Sequence, residues 1–153
     1  MNIPKDIFFT QEGYKKLQDD ETLLQEQRKE AIVHLQKARE MGDLSENGYY
    51  KAAKAKVSSI DHQLHRIRYL IRFGKITKNT ATDSIQMSST FIIFEGGQEK
   101  QLTLVGEHEA NPSEGKISIK SPLGSALVGK KQHDTFLVQT PSGEKTYQVK
   151  SIL

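Results

Sequence analysis

The sequence predicts an α+β chain of two domains: an antiparallel α-helical coiled-coil hairpin over residues 1–74, then a small antiparallel β-sheet domain with one short helix over residues 75–153. Three observations carry this expectation. Apolar residues recur at helical spacing on both sides of a single glycine-bearing break at residues 38–50. That periodicity stops at Phe73-Gly74. Beyond it, short apolar alternations separated by glycine and proline turns take over.

In the first arm Tyr14, Leu17, Leu24, Ala31, Leu35 and Ala38 fall on spacings built from threes and fours. In the second, Tyr50, Ala53, Val57, Ile60, Leu64, Ile67 and Ile71 keep the alternation of a coiled-coil seam. One antiparallel register satisfies both arms: Leu35 opposite Ala53, Ala31 opposite Val57, Leu24 opposite Leu64 and Leu17 opposite Ile71. Its midpoint is Leu44, so the fold-back falls within residues 42–46. Gly42 is expected to end the first helix in a left-handed conformation, and Asp43 or Ser45 to cap the second. Glu21 and Arg28 sit at seam positions, as snorkelling side chains or local register control, without functional weight. At the start, residues 3–9 read as extended and Thr10 is placed to cap the first helix.

After Gly74, strands are predicted at Ile76, at Ile85 with Met87, at residues 91–94, at Leu102 with Leu104, and at Ile117 with Ile119. Residues 95–98 read as a hairpin turn by their glycines, and residues 111–115 as a turn-rich connection. Ser121 and Pro122 open a short helix whose apolar face is Leu123, Ala126 and Leu127, and Gly129 ends it. Phe136 with Val138, the turn Pro141-Ser142-Gly143, and Tyr147 with Val149 form a last hairpin closing on Ile152.

Composition narrows the function classes. The 153 residues carry 35% hydrophobic and 27% charged side chains, which suits a soluble protein with a well-solvated elongated part. A net charge of +3 is too mild to diagnose nucleic-acid binding. With no cysteine there is neither a disulfide framework nor a cysteine-based zinc site. No apolar run approaches a membrane span and the N-terminus lacks a signal-peptide pattern, so the expectation is a cytoplasmic chain without a membrane partner. His34, His62 and His65 stand at different heights of the hairpin and do not converge as transition-metal ligands.

Arms of about 28 residues, rising about 1.5 Å each, place the fold-back on the order of 40 Å from the other end of the hairpin. There the chain presents Asp43 and Glu46, three apart. On a solvent-exposed turn neither carboxylate is desolvated, so a general-acid role is weakly supported and a hard cation such as magnesium is the better functional reading. Two carboxylates cannot supply the roughly six oxygens of a magnesium site, so the rest must come from a partner. The bland alternative is that Asp43 is a helix cap and Glu46 a favourable first-turn charge. Lys37, Arg39, Lys51, Lys54 and Lys56 lie behind the acids, able to meet RNA phosphate or an acidic protein surface, or to form an ordinary solvated face. His65, Arg66, Arg68 and Arg72 make a basic face nearer the hairpin base, with the same default.

The run of residues 38–47, AREMGDLSEN, followed by Tyr50 and Ala52-Ala53-Lys54, closely resembles the signature of the bacterial Gre transcript-cleavage factors. Residues 9–17 resemble the N-terminal stretch of that family. Residues 104–107, 115–119, 121–123, 126–127, 129–131 and 140–144 resemble its C-terminal domain, so the likeness spans nearly the whole chain. The resemblance implies a C-terminal domain with the fold of FK506-binding proteins. It also implies a coiled-coil tip that enters the secondary channel of RNA polymerase. On that likeness Asp43 and Glu46 match the acids that help hold a second magnesium in the polymerase active site, supported by Leu44, Ser45 and Asn47. The polymerase then hydrolyses backtracked nascent RNA near its 3′ end. The same likeness makes Ser121 and Pro122 a docking loop on the channel rim, and Arg39, Lys51 and Lys54 candidates for RNA or polymerase contact. No cofactor is expected to bind tightly to the chain alone, and a monomer is expected because the hairpin satisfies its own seam. One departure stands in the motif: many members read Asn-Ala-Glu-Tyr where this chain has Asn47-Gly48-Tyr49-Tyr50, losing a third acid.

Other function classes compete. A non-cleaving regulator of the same channel gives Asp43 and Glu46 no use. A peptidyl-prolyl isomerase is suggested by the second domain's expected fold alone, which is a poor warrant for activity, and few aromatics are available there to line a proline pocket. A coiled-coil chaperone or adaptor leaves the tip acids without a role.

Overall fold

The computed structural model of the chain describes residues 6–42, 47–78 and 83–153. A short strand β1 (Ile7–Phe9) leads into helix α1 (Gln11–Glu40); helix α2 (Gly48–Phe73) runs directly into β2 (Gly74–Ile76). Strands β3 (Thr90–Glu95) and β4 (Gln98–Val105) follow, then 3-10 turns at Glu107–Glu109 and Pro112–Glu114, β5 (Lys116–Ser118), helix α3 (Pro122–Leu127), β6 (Thr135–Thr140) and β7 (Gly143–Ile152). Two compact units result: Tyr14–Gly74, and Met1–Gly13 together with Lys75–Leu153.

The helical unit buries the seam read from the sequence. Leu24, Ala31 and Ala38 of α1 and Ala53, Ile60 and Leu64 of α2 are buried, and every other predicted seam position is half-buried. Leu24, Ala31, Ile60 and Leu64 form one cluster flanked by Val57 and Ile67. Near the base the fully buried residue is Leu70 rather than Ile71, whose carbonyl instead accepts a hydrogen bond from the Tyr14 hydroxyl at 2.9 Å. Glu21 and Arg28 form ion pairs with the opposite arm. In the predicted pairing they stand opposite Ile67 and Ile60, and each bonds the next residue along: Arg28 Nε donates to Asp61 at 2.5 Å, and Arg68 Nε to Glu21 at 2.9 Å. Moving one way along α1 moves the other way along α2, so the arms are antiparallel. The Arg28 guanidinium, through its hydrogen bond first, holds the Asp61 carboxyl below the usual range.

The second unit is built on a five-stranded sheet of order β5-β4-β3-β7-β6. Alternation along the strands turns Phe91, Ile93, Leu102, Leu104, Phe136, Val138, Tyr147 and Val149 into one core, joined by Ile85 and by Leu127 of α3. The β3–β4 turn places Gly96 at φ +56° and Gly97 at φ +81°, the two successive positive φ values of a tight hairpin.

Three expectations need correction. The sheet is mixed, because β5 pairs parallel with β4. The 3-10 turns return the chain to the start of that register, and Gly115, at φ +72°, lets its carbonyl accept from Thr103 N at 2.8 Å. Ile85 and Met87 are buried but form no strand; Ser84 makes an isolated bridge to Lys131, and the chain then turns at Ser88, with φ +74°. The expected hairpin domain of residues 1–74 is corrected at its start, since the chain up to Gly13 clusters with the sheet unit. There β1 pairs with β2, Phe9 is 1% exposed with its ring stacked on that of His108, and Thr10 is bonded to Glu109.

A second charge cluster ties β3 to its neighbours. The Glu95 carboxylate accepts from Lys100, from Lys145 at 3.2 Å and from the buried Tyr147 hydroxyl at 3.2 Å. These donors, the lysine bonds first, hold its pKa at about 2. A depressed carboxylate contributes stability that is present above its unfolded value and is lost as pH falls through its folded value. The contribution of Glu95 is therefore expected to disappear between about pH 4.5 and about pH 2. Glu95→Gln should cost on the order of 1 kcal/mol near pH 7, after allowance for solvent screening. Chemical denaturation across that pH range checks it, and an unchanged acid limb would refute it.

Candidate functional site

The hairpin tip is framed by two local structures. At the end of α1, Ala38 is fully buried and its carbonyl accepts from Met41 N at 3.3 Å, tightening the last turn. Gly42 follows at φ +114°, as expected of the residue that ends this helix. At the start of α2 the cap is Asn47, not Asp43 or Ser45. Its side-chain oxygen accepts from Tyr49 N at 3.0 Å and from Tyr50 N at 3.3 Å, and its carbonyl accepts from Lys51 N at 3.1 Å. Asparagine suits this role because its short amide reaches the free N–H groups of the first turn. Asp43, Leu44, Ser45 and Glu46 lie outside the described residues.

Exposed side chains flank the tip on both arms. Met41 and Tyr49 are 68% and 49% exposed. A Cβ added at Gly48 would meet nothing within 4 Å, so its departure from the common alanine relieves no clash and only weakens the first turn of α2. Arg39, Lys51 and Lys54 are all exposed. Arg39 and Lys54 come together with Leu35, Val57, Ser58, Asp61 and His62 around an open groove of about 400 Å³ between the arms, which Lys51 does not line. The one carboxylate there, Asp61, is already engaged by Arg28. The groove thus offers cations over an apolar floor, an arrangement suited to an anion. Among the described residues no three His, Asp or Glu side chains are grouped to hold a metal ion.

Ser121 and Pro122 begin α3. Ser121 Oγ accepts from Gly124 N at 3.0 Å and donates to the Ser118 carbonyl at 2.7 Å, while Pro122 occupies the first turn. A Cβ at Gly124 would lie 1.9 Å from the Ser118 carbonyl oxygen, so glycine allows the helix to sit directly on β5. Capping is therefore what these two residues do within the fold.

The sequence reading missed Glu109. Its carboxylate accepts from Thr10 N at 2.9 Å, from the Thr10 hydroxyl and from Gly106 N at 3.2 Å, and the Thr10 hydroxyl in turn accepts from Gly13 N at 3.0 Å. The cap of α1 is thus the predicted Thr10, completed by an acid 99 residues away, and no local pattern announces that partner. No described helix is long and apolar enough to cross a membrane.

Comparison with known proteins covers nearly the whole chain. A family model described as transcription elongation factor, N-terminal, matches residues 7–76, and one described as transcription elongation factor, GreA/GreB, C-term, matches residues 80–153. The transcription elongation factor GreA of Halalkalibacterium halodurans is 35% identical over 153 residues, covering 97% of each chain. That of Bacillus cereus is 36% identical over 157 residues, covering 99% of each. Among solved structures, GreA factor homolog 1 of Thermus thermophilus aligns over 97% of this chain and 99% of its own, at 25% identity and a TM-score of 0.47. With both halves matched by the family's own models and full-length relatives above 30% identity, the chain belongs to the GreA/GreB family of transcription elongation factors.

Proposed function

We propose that this chain relieves arrested transcription in the cytoplasm by stimulating RNA polymerase to cleave its own backtracked RNA. In this reading it is a monomeric accessory factor rather than an enzyme. The hairpin tip enters the secondary channel of the polymerase and brings Asp43 and Glu46 to the active site, near the 3′ end of the nascent RNA. The observation that carries the reading is the tip itself: a family hairpin that ends at Gly42, restarts at Asn47, and carries two acids between them.

Both acids offer hard oxygen donors, the type magnesium takes, and two carboxylates leave most of about six coordination positions to other ligands. A magnesium ion shared with the polymerase would supply an activated water and charge stabilisation for in-line displacement at phosphorus. The chain's contribution is to carry the carboxylates there and hold them. Leu44, Ser45 and Asn47 support the loop, with Asn47 fixing where α2 starts. Arg39, Lys54 and Lys51 face RNA phosphate or an acidic surface of the polymerase, the first two from the groove between the arms. Ser121 and Pro122 present the start of α3 to the channel rim, a role compatible with the fold because capping uses Ser121 Oγ and leaves Pro122 exposed.

The test is a stalled, backtracked elongation complex supplied with magnesium. Adding the chain is expected to shorten the transcript from its 3′ end. Binding without shortening would instead favour a non-cleaving regulator of the same channel, the reading that Tyr49 in place of an acid would then explain.

A further inference from the structure

We infer that the outer edge of β6 is a pairing surface for a second copy of this chain, joined antiparallel about a two-fold axis at Leu137. Strand β6 ends the order β5-β4-β3-β7-β6, so it has a strand partner on one side only. Which of its backbone groups are left over follows from the tight turn to β7. Thr140 pairs with Gly143 across a two-residue loop, so this pair exchanges its own hydrogen bonds, and the alternation of an antiparallel ladder then turns the backbone groups of Val138 and Phe136 toward β7 as well. The N–H and C=O groups of Thr135, Leu137 and Gln139 point the other way, and among the described residues none of them meets a backbone partner.

The two edges of the sheet are guarded differently. Natural edges are blunted by short strands, charges, proline or a covering segment, because an open row of polar groups invites another strand. β5 has three residues, begins with Lys116, and is already bridged on its outer side: Lys116 N donates to the Asn111 carbonyl at 3.0 Å and its carbonyl accepts from Asn111 N at 2.9 Å. β6 has six residues, Thr-Phe-Leu-Val-Gln-Thr, with no charge and no proline. Leu137 at its middle is 58% exposed, while Phe136 and Val138 on either side are buried.

A second copy of the same edge supplies what is missing. With Leu137 on the axis, Thr135 stands opposite Gln139 of the second copy and Leu137 opposite its own equivalent, so every outward-facing group finds a partner, roughly six hydrogen bonds in all. A slip of one residue would set these groups against residues already bonded to β7. In this register Phe136 abuts Val138 of the second copy, which extends the buried side, and the two exposed Leu137 side chains cover each other on the solvent side. No charge meets a like charge along the strand. The contact is isologous and the opposite edge is bridged, so association closes at two copies. One strand pair buries less than the roughly 1,200 Å² of a lasting interface, so the pair is reversible, with half-association on the order of 100 µM.

Sedimentation equilibrium of the full chain from about 10 µM to about 1 mM is expected to show monomer passing to dimer and nothing larger. Leu137→Lys sets like charges at the axis from an exposed position, and should weaken association at least about tenfold while the melting temperature of the dilute chain stays within a few degrees of native. Two double variants test the register. Thr135→Lys with Gln139→Lys places like charges opposite each other and should dissociate the pair, whereas Thr135→Lys with Gln139→Glu places opposite charges there and should retain it at low salt. A native chain that stays monomeric at about 1 mM, a dimer that Leu137→Lys leaves intact, double variants that behave alike, or growth beyond the dimer would each overturn the inference. The cleavage proposed above is assayed far below these concentrations, where the chain is monomeric, so the two readings stand or fall separately.

Discussion

Replacing Asp43 and Glu46 together by alanine is expected to slow stimulated transcript shortening by on the order of a hundredfold or more, while binding to core polymerase stays within about threefold. The size follows from the proposed chemistry: if the two acids help hold a magnesium ion, each alanine would remove an anionic oxygen ligand that water can replace only with a neutral donor. The competing view makes these acids helix caps. On that view the double variant loses helix stability and cleaves normally when saturating. The position of the α2 cap bears on the choice, because Asn47 already accepts from the N–H groups of Tyr49 and Tyr50. Alanines at 43 and 46 leave that cap in place, so the melting temperature is expected to stay within a few degrees of native. Equal cleavage by both proteins would end the metal-ligand reading, and a large drop in melting temperature would restore the capping one.

The same neighbourhood shows which features a sequence discloses. The seam was legible because a coiled coil repeats the same demand every few residues, and a wrong register would strand Ile60 and Leu64 in water. The roles of Glu21 and Arg28 emerged only with coordinates, since Asp61 and Arg68 lie on the opposite arm. Gly42 could be read as a helix end. The cap of α2 could not be chosen, because Asp43, Ser45 and Asn47 all have side chains able to accept from the first-turn N–H groups. In the sheet unit, the pairing directions followed from tight turns wherever these join neighbouring strands. They failed at β5, whose three residues are delivered by two 3-10 turns to a parallel alignment that short apolar spacing does not specify. The start of the chain was misassigned for a related reason. Sequence proximity ties Thr10 to α1, yet its strongest partner is Glu109, 99 residues on.

Phe91→Ala is expected to destabilise the sheet unit by about 4 kcal/mol, the usual cost of removing a fully buried aromatic ring. Phe91 has no exposed surface and lies on β3, the middle strand, paired with Leu102 on one side and Ile152 on the other. Its ring joins a core that includes Ile93, Leu104, Leu127 and Val149, all nearly or fully buried, so neighbours could fill the void only by giving up contacts of their own. For a unit of this size such a loss should lower its melting temperature by roughly 15 °C or more. The hairpin keeps a separate cluster of Leu24, Ala31, Ile60 and Leu64, untouched by the substitution. Thermal unfolding should therefore split, with backbone amide NMR signals of the β3–β7 strands and the Tyr147 ring signal lost well before the helical circular-dichroism signal of α1 and α2. A single transition shifted as a whole would mean that the helices depend on the sheet unit for stability. Unchanged melting would show that the void left by the ring is filled by repacking, contrary to the packing described here.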